Sequence, residues 1–402
     1  MKHYTALEYL YIALANHYGK DKESFEDRIA WAQQNWDKVS VYDAEEPAEF
    51  LAAKLAMRDT LAGKPTGFMI SLDATSSGPQ LLSLLLGDPN GAIITNAAVG
   101  KNGPQRMDCY TLVYEEYKKL AGSNARNSRS DIKKCVMQRC YGGKAMVKSI
   151  FGDNAPLFEQ AMKNSMKYIY WAIEELLWQH EHNGTDRTGY NWVMPDGFNV
   201  GIKVEKTISH KFVYKEEIIK FYSKEETADE HYKGLPANIT HSVDSLVMRE
   251  MLNRCMYNPN VKRFLDFKAN AVPELPLEDY KSRQVYRLIN LYHDSGFLSS
   301  RVLDFINKKN LRTLNVVDVE AIKDLIKSLP AKPFKIMGIH DSYHCHCNYA
   351  NDLREQYKNL LVGVAKSNLM DFIYQQLDLD KSVTFKFRDL SQYAEKEEYA
   401  IC

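Results

Sequence analysis

The two most strand-like segments of the chain lie far apart, and each carries an aspartate at or near its end. "GFMISLD" closes on Asp73, and "PFKIMGIHDSYHCHC" contains Asp341, 268 residues further on. In extended alternation Met69, Ser71 and Asp73 share one face, as do Lys335, Met337, Ile339 and Asp341. If the two segments are sheet neighbours, two carboxylates meet at one sheet edge, where a hard cation such as magnesium can bind. Taken singly, either aspartate reads more simply as the start of a turn. "ATSSGPQ" follows Asp73 at once, so the strand stops where it delivers its carboxylate.

A chain of 402 residues is long enough for two or three lobes. Lys plus Arg and Asp plus Glu both number 52, so bulk positive charge cannot carry nucleic-acid binding, and any such role rests on local patches. The seven cysteines form no CxxC pair, which argues against a disulfide framework or zinc ribbon and for a reducing cytoplasm. "MKHYTALEYLYIALANHYG" is interrupted by Glu8 and reads as an amphipathic first helix, and no apolar run is long enough for a membrane span.

Residues 1–63 carry helical spacing, with Leu7, Leu10 and Tyr11 in one segment and Phe50, Leu51, Leu55 and Met57 in another. A short apolar helix follows "SSGPQ", and residues 105–180 return to a helical pattern broken by "AGSNARNS". Residues 198–223 alternate as a small sheet or hairpin, and "KEETADEHYKG" reads as a charged loop. Helical spacing resumes after His241, and residues 349–379 read as one long helix.

The paired aspartates gain meaning from "RSDIKKCVMQRCYGG". Arg129 and Lys133 stand one helical turn apart, and Tyr141 falls only about 80° further round. Arg129 to Tyr141 spans roughly 18 Å at helical rise, the length of an extended nucleoside triphosphate. Arg and Lys suit phosphates, and Tyr suits the sugar or base end. Residues 124–148 hold seven basic residues (Arg126, Arg129, Lys133, Lys134, Arg139, Lys144, Lys148) against the one acid Asp131. Charge alone favours a solvated helix face, but Tyr141 followed by two glycines marks a helix end at the tyrosine.

These stretches carry a resemblance. "R-x3-K-x7-YG" at Arg129, Lys133, Tyr141 and Gly142 resembles the fingers-helix motif shared by the single-subunit bacteriophage and mitochondrial RNA polymerases and by related DNA polymerases. "DATSSGPQ" at Asp73 resembles their first palm motif and "HDSY" at His340–Tyr343 their third. "HDS", "MPDGF" at Met194–Phe198, "NITHSVDS" around His241, and "FKFRDL" with the terminal "YAIC" are similar to the RNA polymerase branch. Only 72 residues precede Asp73 and no "GR" dipeptide occurs, where family members carry several hundred residues with a DxxGR signature. In this the chain resembles the larger subunit of the two-polypeptide RNA polymerase of enquatro-type podoviruses.

The resemblance implies an α+β right-hand polymerase, mostly helical, with a small antiparallel palm sheet and without its N-terminal lobe and thumb. It implies palm in residues 1–90 and 242–402 and fingers with hairpin insertions in 91–241. It implies two magnesium ions on Asp73, Asp341 and the Ala74 carbonyl, nucleotide binding by Arg129, Lys133, Tyr141, Gly142 and His241, and nucleic-acid contacts from Lys134 and His340. Implied partners are a smaller subunit carrying the DxxGR motif, a DNA template, the RNA transcript, ribonucleoside triphosphates and a single-stranded-DNA-binding recruitment factor. The implied setting is the bacterial host cytoplasm. A DNA polymerase and a catalytically idle nucleic-acid-binding subunit are the alternatives. In "HCHC", residues 344–347, a strand sends the histidines one way and the cysteines the other, a poor geometry for zinc.

Overall fold

A computed structural model of the chain describes residues 1–215 and 217–402. Thr5 and Glu8 exchange side-chain and backbone hydrogen bonds to open α1 (Ala6–Ala15). A π-turn over Asn16–Lys20 leads into α2 (Phe25–Asn35), capped by Ser24, and α3 (Pro47–Leu61), which begins on a proline. The opening segment is thus helical, in agreement with its spacing. Strand β1 (Met69–Asp73) follows, then α4 (Ser77–Leu86) and α5 (Pro89–Ile94).

Next come α6 (Cys109–Ala121), α7 (Arg129–Cys140), α8 (Ala145–Phe151), α9 (Ala155–Ser165) and α10 (Lys167–Asn183). The alternating stretch beyond resolves into two hairpins, β2 (Gly189–Val193) with β3 (Asn199–Lys203), and β4 (Glu205–Tyr214) with β5 (Glu217–Glu226). The charged loop therefore begins after Glu226. Pro236, in the first turn, starts α11 (Leu235–Cys255) six residues before His241, so that histidine lies inside the helix.

A second, smaller core between Tyr257 and Leu329 gathers around α12 (Tyr280–Ser295), α13 (Lys308–Leu311) and α14 (Val316–Lys327). The second strand-like run folds back on itself as β6 (Ile336–Ile339) and β7 (Ser342–His346), with His340 and Asp341 as the turn. The expected alternation from Lys335 therefore stops at Ile339. The expected long helix is two, α15 (Ala350–Lys366) and α16 (Leu369–Gln375), because Ser367 is extended and the Asn368 N–H bonds the Ser295 carbonyl 2.8 Å away. A last turn, α17 (Ser391–Ala394), precedes the final strand-like residues.

The central sheet has the order β1-β7-β6 and is antiparallel, with Asp73 opposite Ser342 and Leu72 opposite Tyr343. Ile70, Leu72, Tyr343 and Cys345 point into a core that draws residues from Tyr4 to Cys402, while Ser71, Asp73, Ser342 and His344 share the other face. The architecture is mostly helical with small antiparallel sheets, compatible with an α+β polymerase fold.

Candidate active site

The end of β1 is fastened on both edges. On one side the Ala74 N–H donates to the Asp341 carbonyl at 3.1 Å, tying Asp73 to the β6–β7 turn. On the other, Asp73 and Cys402 exchange backbone bonds of 3.4 and 3.0 Å, and Thr75 N–H reaches the Ala400 carbonyl. His340 takes the left-handed conformation, φ 56°, in the two-residue turn that delivers Asp341. The two aspartates are therefore held by backbone on adjacent elements, Asp73 exposed and Asp341 half-buried.

The donor set suits magnesium: two carboxylates and the Ala74 carbonyl are hard oxygens, and that ion is commonly held by one or two carboxylates with substrate phosphates and water completing the shell. Among the described residues no group of three His, Cys, Asp or Glu side chains forms a ready-made cage.

Helix α7 supplies the facing wall. Ser128 and Asp131 form a capping box, which places Arg129 at the first helical position. Its guanidinium donates to Asp108 and, at 2.8 Å, to Thr111 Oγ1. Burial pushes the Asp108 carboxyl up, but Thr111 and Arg129 outweigh it and hold the group below the usual carboxylate range. Lys133 follows one turn on, its ammonium 5.7 Å from the centre of the Tyr110 ring.

Tyr141 is the last residue of this wall because the helix ends there. Gly142, at φ 83°, donates to the Arg139 carbonyl and Gly143 to the Gln138 carbonyl, closing the helix C-terminus. A Cβ on Gly142 would stand 2.9 Å from the Lys233 carbonyl, so the position needs glycine for both conformation and space. A Cβ on Gly78 would lie 3.2 Å from the Tyr141 hydroxyl, so the first motif's glycine makes room for the tyrosine. The Tyr141 and His241 rings stack at 4.8 Å and 16°. Burial, aided by Cys140, Asp244 and Asp341, pushes the Tyr141 hydroxyl up to about 12, which keeps it a neutral donor.

Asp73, Ala74, Arg129 and Lys133 line one cleft of about 540 Å³, and Lys133, Tyr141 and Asp341 line an adjoining hollow of about 170 Å³. The structure thus brings most of the expected site residues onto one continuous wall. Lys134 is exposed on α7 and is not among the residues lining the cleft, and His340 is exposed at the turn. The basic cluster is not the free charge its composition suggests: Arg139 is fully buried and paired with Glu159 and Glu174, Lys144 also holds Glu174, and Arg129 holds Asp108. In "HCHC" the alternation sends Cys345 into the core and His344 to the cleft.

Asp244 was missed by sequence reasoning. It lies three residues past His241 on α11, a spacing that puts both on one helix face. Burial first, and then the neighbouring Asp341, push its carboxyl up to about 6, with His340 acting against them. Gln80 is also more than a motif residue. It is fully buried, donates to the Thr95 and Ala400 carbonyls and accepts from the Tyr357 hydroxyl at 2.8 Å, so it ties α4 to the terminal strand and α15.

Residues 3–150, which include Asp73, Ala74, Arg129, Lys133, Tyr141 and Gly142, match the family model described as DNA-dependent RNA polymerase. The match supports the DNA-dependent RNA polymerase family. A DNA-directed RNA polymerase of Pseudomonas phage phiKMV is 25% identical over 302 residues, covering 60% of this chain and 37% of that protein. A probable DNA-directed RNA polymerase of Neurospora crassa is 27% identical over 178 residues, covering 41% of this chain and 20% of that protein. The chain spans well under half the length of these two polymerases. Among the described residues no helix is long and apolar enough to cross a membrane.

Proposed function

We propose that this chain is the catalytic polypeptide of a DNA-directed RNA polymerase. The observation that carries the reading is the gathering of Asp73, Asp341 and the Arg129–Lys133–Tyr141 wall around a cleft and its adjoining hollow, in a chain whose residues 3–150 match that family's model. Asp73, Asp341 and the Ala74 carbonyl would hold two magnesium ions, which when bound supply positive charge at the attacking and leaving oxygens. Arg129 and Lys133 bind and orient the triphosphate of an incoming ribonucleotide. Tyr141, backed by His241, packs against the sugar and donates its hydroxyl toward the ribose. The growing 3′ hydroxyl attacks the α-phosphate, and pyrophosphate leaves.

In this reading residues 1–90 and 242–402 form the palm, 91–241 the fingers, and Lys134 and His340 contact nucleic acid. A separate smaller subunit completes the enzyme, a single-stranded-DNA-binding factor recruits it to template, and the work is phage transcription in the host cytoplasm. The test is extension of an RNA primer on a DNA template by the full chain, with and without a co-expressed smaller subunit. Wild type should add ribonucleotides. Asp73→Asn and Asp341→Asn should each lose several kcal/mol of barrier lowering while keeping the wild-type melting profile. Extension by either mutant within tenfold of wild type at saturating magnesium would remove the two aspartates from the reaction.

A further inference from the structure

Arg106, which no motif of the sequence singles out, lies in the cleft wall between α5 and α6. It lines both the large cleft and a 70 Å³ hollow beside it, in company with Lys22, Arg129 and Lys133. Its backbone neighbour Met107 is gripped on both sides by one buried side chain. Asn96 Oδ1 accepts from the Met107 N–H at 2.7 Å, and Asn96 Nδ2 donates to the Met107 carbonyl and to Thr75 Oγ1, both at 3.0 Å. Asn96 holds the left-handed conformation, φ 57°, to do this, and Thr75 closes the chain by donating to the Thr95 carbonyl at 2.9 Å. The segment after Asp73 and the segment bearing Arg106 are therefore locked together through one asparagine.

The guanidinium itself is unspent. Among the described residues Arg106 forms no salt bridge. One nitrogen donates to the Met107 carbonyl, and its Nε is buried with no hydrogen-bond partner. Arg129 is different, because Asp108 already takes a large part of its charge. A guanidinium with no carboxylate partner in a cleft wall is suited to a multiply charged anion. The carboxylates on the facing helical lobe, Asp21, Glu45, Glu46 and Glu49, line the same cleft yet none lies within ion-pair distance of Arg106.

We infer that Arg106 is a third cation for the triphosphate, set beside Arg129 and Lys133 by the Asn96 clamp. It supplies the positive charge that Arg129 shares with Asp108. This rests on the polymerase reading, and it adds a phosphate-binding residue from outside α7.

The test compares wild type, Arg106→Ala and Arg106→Lys as full chains with any smaller subunit present, by steady-state ribonucleotide addition and by inhibition with pyrophosphate. Arg106→Ala should raise KM for the triphosphate roughly 10- to 100-fold and weaken pyrophosphate inhibition in step. Arg106→Lys should recover part of both losses, since a point charge survives without the planar fork. A KM within twofold of wild type would overturn the assignment, as would a raised KM with unchanged pyrophosphate affinity, which is the mark of a structural role. Should Arg106→Ala melt early, Arg106→Gln, which keeps much of the side chain without its charge, carries the comparison, and wild-type constants for it would equally overturn the assignment. Wild type that adds no ribonucleotide at all refutes the polymerase reading and takes this inference with it, whereas active wild type with an indifferent Arg106→Ala refutes this inference alone.

Discussion

Replacing Asp244 by asparagine should stabilise the metal-free chain at neutral pH and do little at pH 4. The residue lies on α11, and burial together with the charge of Asp341 raises its carboxyl from the ordinary 3.8 to about 6. Well below pH 3.8 the group is protonated whether the chain is folded or not, so it contributes no difference. As pH rises through 4 to 6 the unfolded chain releases its proton first, and the folded state pays increasingly to match it. Above pH 6 the difference reaches about 3 kcal/mol, at about 1.4 kcal/mol for each pH unit. Asparagine keeps the shape and never charges, so it removes that penalty. With an unfolding entropy of about 2.1 cal/mol/K per residue, 3 kcal/mol in a chain this long moves Tm by about 3–4 °C. The assay is thermal melting of both proteins in EDTA across pH 4 to 8. A gain of the same size at pH 4 and pH 7.5, or none at either, would refute the argument.

Tyr141→Phe keeps the ring stacked on His241 but loses the hydroxyl. The kcat/KM ratio for ribo- over deoxynucleotides should fall roughly two- to tenfold, as one neutral hydrogen bond allows, and an unchanged ratio would take Tyr141 out of the sugar site. Gly142→Ala forces a side chain into a φ of 83° and to within 2.9 Å of the Lys233 carbonyl. It should cost about 1–3 kcal/mol in denaturant unfolding and, by moving the helix end, raise KM for the nucleotide. Wild-type stability and KM would show that α7 can end there without glycine.

Much of the candidate site was legible because its signals are local. The two aspartates at the ends of apolar runs, the one-turn spacing of Arg129 and Lys133, and the glycine pair after Tyr141 are all written within a few residues of the atoms they position. The structure keeps these spacings and places the residues along the cleft and its adjoining hollow. The run around Asp341 was misread as a single strand because His340, which turns the chain at φ 56°, carries no glycine or asparagine to announce it. The basic cluster was overcounted because net charge in a window says nothing of which cations are buried against acids 20 and 35 residues away, as Arg139 is. Arg106 and Asp244 were invisible for the same reason, since their meaning comes from neighbours distant in sequence.

The sequence by itself determined the caps, the alternation of Ile70 and Leu72 with Ser71 and Asp73, and the helix end at Tyr141, because each depends on dihedral preferences and periodicities within a turn or two. Only the tertiary structure decided that Asp73 lies opposite Ser342 and beside Asp341, that Asn96 clamps Met107, and that Asp244 is buried within the influence of Asp341. Pairing across 268 residues is set by which faces can be buried together once the intervening chain has folded, and no local preference encodes that register.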